Sequence, residues 1–188
     1  MSSMIEVSLG GSGGQGLVLM GMIVAEAAGI HEGRQVVQSQ LYGPESRGGA
    51  SRSDVIISDG EIDYPEVDNP DVLFAFNQLS ASKYAPHLKK GGIFIYDDSF
   101  VSDPPAVEGR VYHLPVTQMA REQLGREIVA NIVALGAIVA ITGIVARESI
   151  EAAVLGRVPK GTEEINMKAL KLGYQAAEEL VAAGAASA

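Results

Sequence analysis

Two short stretches hold most of the residues whose types and spacing suggest chemistry. The first is Gly11-Ser12-Gly13-Gly14-Gln15-Gly16. Glycines at 11, 13 and 16 have the spacing of a dinucleotide-binding turn. Small residues there let backbone approach a diphosphate, and the N–H groups opening the next helix point at it. The plainer alternative is a tight strand-to-helix turn with no ligand. The second stretch is Tyr42-Gly43-Pro44-Glu45-Ser46-Arg47-Gly48-Gly49. It presents Glu45, Ser46 and Arg47, and an arginine there can grip a phosphate or carboxylate in a bidentate fork. Its plainer alternative is a loop braced by a Glu45–Arg47 contact or by a neighbouring chain. The candidate cofactor-binding residues are thus Gly11, Ser12, Gly13, Gly14, Gln15 and Gly16, with Glu45, Ser46 and Arg47.

Other polar residues carry less. An NAD site wants an acid at the end of the second strand to hold the ribose. That strand reads Gln35-Val36-Val37-Gln38-Ser39-Gln40, with Arg34 before it and no acid. His31, His87 and His113 are scattered, without metal-ligand or triad spacing. Asp97 and Asp98 end a strand, where a carboxylate can face a ligand; an Asx turn leading to Ser99 is the simpler use. Asn77 is a similar case. Lys89-Lys90-Gly91-Gly92 reads as the basic end of a helix. No catalytic residue and no metal-ligand set is assigned to this chain.

These residues need elements to position them. Apolar alternation and glycine breaks predict strands at Met4–Leu9, Arg34–Gln40, Ser53–Ser58, Asp71–Phe76, Gly92–Tyr96 and Arg110–Leu114. The continuous apolar run at 71–76 implies burial on both faces. Helices are predicted over Gln15–Gly29 and Ser80–Leu88. After Pro115 the chain reads as helical: Thr117–Leu124, Glu127–Ala146, Ser149–Leu155 and Thr162–Ala183. Thr162 is placed to cap the last of these, whose apolar stripe runs Ile165, Ala169, Leu172, Ala176, Leu180. Strands alternating with helices give an α/β, Rossmann-like fold with a largely parallel sheet covered by helices. We expect one domain over 1–188, with the sheet in 1–115 and a helical part, 116–188, packed on it.

Composition narrows the function classes. The chain has 188 residues and no cysteine, which excludes disulfides, thiolate zinc sites, ordinary iron–sulfur clusters and a cysteine nucleophile. Fourteen basic against 23 acidic residues leave a net charge of −9, which argues against nucleic acid or anionic lipid as partner. The uncharged run Ile128–Ala146 is long enough to span a bilayer, but Asn131, Gly136, Thr142 and Gly143 interrupt it. We read it as a central helix, apolar all round because it is packed on several sides. The amino terminus has no basic n-region, so no signal peptide is expected there and a cytoplasmic location is.

The sequence also resembles a family. Gly11–Gly16, Tyr42–Gly49 and Ser58-Asp59 look like the gamma subunit of 2-oxoacid:ferredoxin oxidoreductases. So do the Asp71 strand leading into Asn77, Gly91-Gly92 leading into Asp97-Asp98-Ser99, and Asn131 through Leu135-Gly136-Ala137. The resemblance implies a complex that decarboxylates a 2-oxoacid on thiamine diphosphate, passes electrons through iron–sulfur clusters to ferredoxin and forms an acyl-CoA. It implies alpha, thiamine-binding beta and sometimes ferredoxin-like delta partners, with 2-oxoglutarate mildly preferred among the possible substrates. It also implies a role in holding the nucleotide end of coenzyme A, with Gly11–Gly16 facing the diphosphate and Arg47 a plausible anion contact.

The residues agree that this chain cannot do that reaction by itself. It lacks thiolates for clusters, and Ser58-Asp59-Gly60 is a poor start to a thiamine diphosphate and magnesium motif, with no Asn-Asn pair following. Those cofactors are expected in partners. An isolated chain is expected to expose apolar surface and so to form a homodimer. The competing expectation is a stand-alone nucleotide- or CoA-binding Rossmann-like protein.

Overall fold

The computed structural model describes residues 3–41 and 49–184. Six strands form one sheet: β1 Met4–Gly11, β2 Gln35–Leu41, β3 Ser51–Ser58, β4 Val72–Ala75, β5 Ile93–Asp97 and β6 Arg110–Leu114. Their order across the sheet is β2-β3-β1-β4-β5-β6. β4 runs parallel to β1 and β5, and β6 runs parallel to β5. β3 is antiparallel to both neighbours, β1 and β2. The sheet is therefore mostly parallel, with one reversed strand. The reversal follows from chain length: only nine residues separate Leu41 from Ser51, and a parallel crossover needs a dozen or more.

Helices cover both faces. α1 Leu17–Glu26, extended by a π turn over Ala27–His31, lies on one face with α3 Val116–Leu124, α4 Ala130–Thr142, α5 Arg147–Arg157 and α6 Glu163–Ala182. They bury Val7, Leu9, Val55, Ile57 and Phe74 beneath Met20, Ile23, Leu135, Ile138 and Leu170. On the other face α2, Gln78–Tyr84, closes a smaller core of Leu73, Ala75, Phe94 and Tyr96 with Ala81 and Tyr84. Val72 to Phe76 are buried on both faces, as their continuous apolar character requires, while Asp71 at the start of the run stays partly exposed. The helices after Pro115 pack on the sheet with its own core residues.

α4 explains the long apolar run. Every residue from Ala130 to Val139 is buried, and Gly143 ends the helix in a left-handed turn. It is shorter than the 127–146 span expected from hydropathy, since a 3-10 turn at Glu127–Val129 precedes it. No helix of the described residues is long and apolar enough to cross a membrane.

α4 meets α6 at backbone distance. A methyl group on Gly136 would collide with the Leu170 carbonyl, and one on Gly173 with the Val133 carbonyl. Two expectations for α6 change here. Its buried residues are Asn166, Ala169, Leu170, Gly173, Tyr174 and Ala177. Ile165, Leu172, Ala176 and Leu180 flank that stripe and are only partly buried, because Gly173 draws its side of the helix against α4. Thr162 makes no side-chain cap. Its hydroxyl donates 2.6 Å to the Pro159 carbonyl and accepts from Asn166 Nδ2 at 3.0 Å.

Candidate functional site

β1 ends at Gly11, and the glycine loop carries the chain into α1. Gly14 (φ 90°) and Gly16 (φ 76°) both occupy the left-handed region, which side chains disfavour. The loop closes on itself: Ser12 N donates to Gln15 Oε1 (2.7 Å) and Gln15 N to the Ser12 carbonyl (3.2 Å).

The loop stands at the point where the sheet's connections diverge. β1 leads through α1 toward β2, on one side, while β4 leads through α2 toward β5, on the other. Such a crevice outside the carboxyl ends of parallel strands is where open α/β sheets bind ligands. Asn77, just past β4, bridges it. Its Nδ2 donates to Ser12 Oγ (2.8 Å) and to Gln15 Oε1 (3.2 Å). Its Oδ1 accepts from Ser80 N (2.9 Å), which caps α2. Asn77 thus fixes the glycine loop to β4 and starts α2 with one side chain.

Two cavities open on either side of Gly14, which lines both. One, of about 260 Å³, lies between the loop and the β2–β3 hairpin and is lined by Ser12, Gly13, Val18, Gln40, Arg52 and Ser53 among others. The other, of about 300 Å³, lies toward α3 and α4 against Gln15, Phe76, Thr117, Glu127, Ile128 and Asn131. A methyl group on Gly13 would meet nothing within 4 Å.

Buried polar groups hold this end of the sheet in shape. Asp97 is fully buried at the end of β5. It accepts from Ser99 N (3.0 Å), from Thr117 N (3.2 Å) and from the Thr117 hydroxyl, so it is both an Asx turn and the anchor of α3. Burial pushes its carboxyl above its ordinary 3.8, against those hydrogen bonds. Beneath the glycine loop, Asp54 accepts from Ser8 Oγ (2.6 Å) and pairs with Arg52 Nε at 2.9 Å, a contact too bent to be a hydrogen bond. Burial raises the Asp54 carboxyl too, opposed first by Ser8 and then by the Arg52 charge. Arg52 also donates to the Val67 carbonyl (2.9 Å) and lies 5.3 Å from the Tyr84 ring centre.

The other sequence candidates divide clearly. Gly11, Ser12, Gly13, Gly14, Gln15 and Gly16 come together as one loop. Glu45, Ser46 and Arg47 lie outside the described residues. Their flanking residues do not: Leu41 pairs with Arg52, and Ser51 with Gly11, at the same end of the sheet. Arg34 is at the opposite end, bound to Asp59 (3.0 Å) and to the Ile144 carbonyl (3.1 Å). Gln40, near the end of β2, lines the cavity where an NAD site would place its acid. His113 pairs with Asp98 at 2.8 Å and stacks on Tyr96. Among the described residues no group of three His, Cys, Asp or Glu side chains could hold a metal ion. Sequence reasoning did not single out Arg52 or Ser53, which reach the loop from the reversed strand, or give Asn131 a place at the loop.

A model of the pyruvate ferredoxin/flavodoxin oxidoreductase family matches residues 6–176. The chain belongs to that family. It is 47% identical over 177 residues to a Methanocaldococcus jannaschii protein named 2-oxoglutarate synthase subunit KorC, covering 93% of this chain and 95% of the relative. The crystal structure of a keto/oxoacid ferredoxin oxidoreductase gamma subunit from Geobacter sulfurreducens superposes with a TM-score of 0.85 at 47% identity, over 93% of this chain and 99% of that one. The fold also recurs in 2-oxoglutarate:ferredoxin oxidoreductase from Magnetococcus marinus, solved with 2-oxoglutarate, coenzyme A and succinyl-CoA bound. There the TM-score is 0.81 at 24% identity, over 94% of this chain and 31% of that one. Within the family this chain is a gamma-type subunit of a 2-oxoacid:ferredoxin oxidoreductase.

Proposed function

We propose that this gamma-type subunit holds the nucleotide end of coenzyme A at Gly11–Gly16 and presents its thiol arm to cofactor-bearing partners. The observation that carries the reading is the glycine loop between two cavities, with Gly13 open to space that a side chain would enter. Glycine is not needed there for packing, so the bare backbone is best explained by the approach of a ligand. Gln40, near the end of β2, supports CoA over NAD, since among the described residues no carboxylate lines that cavity to hold a ribose.

The partners follow from what the chain lacks. With no cysteine it has no thiolates for iron–sulfur clusters, and its residues do not fit a thiamine diphosphate and magnesium site. Alpha, beta and, in some assemblies, delta chains supply those groups, and ferredoxin takes the electrons. Val18, Leu41, Leu79, Phe100 and Ile128 are exposed apolar side chains on the elements at the strand-carboxyl end, and Val18 and Ile128 line the two cavities flanking the loop. A partner seated there covers them and encloses the ligand. The favoured substrate is 2-oxoglutarate, in keeping with the name of the M. jannaschii relative, and the assembly is cytoplasmic.

The test is native isolation of the tagged chain from its source, with mass spectrometry of what accompanies it and assay of 2-oxoacid- and CoA-dependent reduction of a ferredoxin. We expect a thiamine-binding and a cluster-bearing chain, with 2-oxoglutarate the best substrate. A chain that emerges as an unaccompanied monomer or homodimer, and binds nucleotides by itself, overturns the subunit reading.

A further inference from the structure

The cavity on the α4 side of the glycine loop contains one buried polar group with unused bonding capacity. Asn131 is the second residue of α4 and only 6% exposed. Its Oδ1 accepts from Ile132 N at 3.0 Å, satisfying one of the N–H groups left over at a helix start. That bond fixes the orientation of the amide, so Nδ2 is the end that faces the loop. Nδ2 has no hydrogen-bond partner among the described residues. It lies flush against Gly16, where any Cβ would collide with it, and Asn131 lines the cavity with Gly14 and Gln15.

The other polar groups around the cavity, Gln15 Nε2 apart, are engaged. The Thr117 hydroxyl donates to Asp97, Gln15 Oε1 accepts from Ser12 and Asn77, and Glu127 is held by Arg121 at 2.7 Å. Gln15 Nε2 also has no partner among the described residues, but its side chain is partly exposed. The Asn131 side chain is nine-tenths buried while Nδ2 opens on the cavity, so the donor is positioned in advance for an acceptor that enters there. The acceptor must also suit the amino-terminal end of α4, thirteen residues long, whose dipole favours negative charge.

We propose that Asn131 Nδ2 donates a hydrogen bond to a diphosphate oxygen of the nucleotide held by the glycine loop, so that the diphosphate lies over Gly14 and Gly16 on the α4 side. This rests on the reading that the loop binds a nucleoside diphosphate. It also gives Gly16 a second purpose: its missing side chain lets the amide reach the loop backbone.

The test is calorimetric titration of the full chain, in its native complex, with CoA and with ADP. Asn131→Asp keeps the Oδ1 acceptor for Ile132 N and the side-chain size, but replaces the donor with negative charge. It should weaken both ligands by about 10- to 100-fold, with the melting temperature close to wild type. Asn131→Ser is too short to reach the ligand and should weaken them in the same direction if the Asp variant folds poorly. Wild-type affinity for ADP and CoA in a folded variant overturns the proposal and leaves CoA binding by the loop standing. Failure of the wild-type complex to bind CoA or ADP overturns the reading beneath it as well.

Discussion

The glycine loop and the α4–α6 contact both omit side chains, for different reasons. At Gly136 and Gly173 the missing Cβ atoms let two helices touch backbone to backbone, and the space is filled by protein. At Gly13 and Gly14 the space beside the backbone is open. One glycine pair is a packing device inside the core; the other set borders cavities at the rim. Glycine content by itself does not distinguish them. What distinguishes them is what a Cβ would meet.

The largest effect should come from filling the helix contact. Gly173→Ala or Gly136→Ala drives a methyl into a main-chain carbonyl, which no change of rotamer can relieve. We expect a loss of about 3 kcal/mol or more and a fall in Tm of roughly 6–12 °C, read by thermal unfolding. A variant that melts like wild type would mean that the helices can separate without cost, and the contrast with the loop would collapse.

Gly16→Ala comes next, because Gly16 belongs partly to each class. Its φ of 76° strains any side chain by about 1–2 kcal/mol, and the new Cβ meets a side-chain amide, Asn131, that can shift. A total near 2 kcal/mol is expected, smaller than at Gly173, together with weaker CoA binding. Equal losses at the two positions would show that Asn131 is as immovable as a backbone carbonyl.

Much of this arrangement was legible in the sequence, and the parts that were not have identifiable causes. The strands show themselves because apolar runs and glycine breaks are local signals, and β6 falls on the expected residues 110–114. The direction of β3 was open to simple counting, since nine residues cannot make a crossover, but residue type says nothing about strand direction. The buried face of α6 differs from the apolar stripe because Gly173 and Asn166 are buried without being apolar. The first half of the site, Gly11–Gly16, is a contiguous motif. Asn131 and Asn77 reach it only through the fold, from a helix start and a strand end that no spacing rule connects to Gly16.

A smaller, pH-dependent effect separates the polar scaffold of the rim from the apolar helix contact. Burial raises the Asp97 carboxyl above its ordinary 3.8, so the folded state binds this proton more tightly than the unfolded chain does. The contribution of Asp97 to stability is therefore greatest below the ordinary value. It declines as pH rises through the window between that value and the raised one, and is constant above. The stability gap between wild type and Asp97→Asn should shrink as pH rises through that window, while the gap for Gly173→Ala should not follow it. Denaturant titrations at a series of pH values read both. A gap for Asp97→Asn that widens with pH would mean that the Ser99 and Thr117 hydrogen bonds outweigh burial.

The smallest stability effect belongs to Gly13→Ala, and it sharpens the comparison most. Gly13 is not in the left-handed region, and its Cβ would meet nothing within 4 Å. An alanine there should leave stability unchanged or raise it by about 0.4–1 kcal/mol, since it restricts the unfolded chain. If the loop holds a diphosphate, the same methyl enters the space where ligand meets backbone, and CoA affinity should fall at least about tenfold, the equivalent of one poorly accommodated contact. Thermal unfolding and CoA titration on one preparation read both quantities. Unchanged stability with weakened binding marks Gly13 as glycine for the ligand's sake. Unchanged binding would leave it with no more purpose than a turn, and would confine the ligand contact to the Gly14–Gly16 side of the loop, where Asn131 lies.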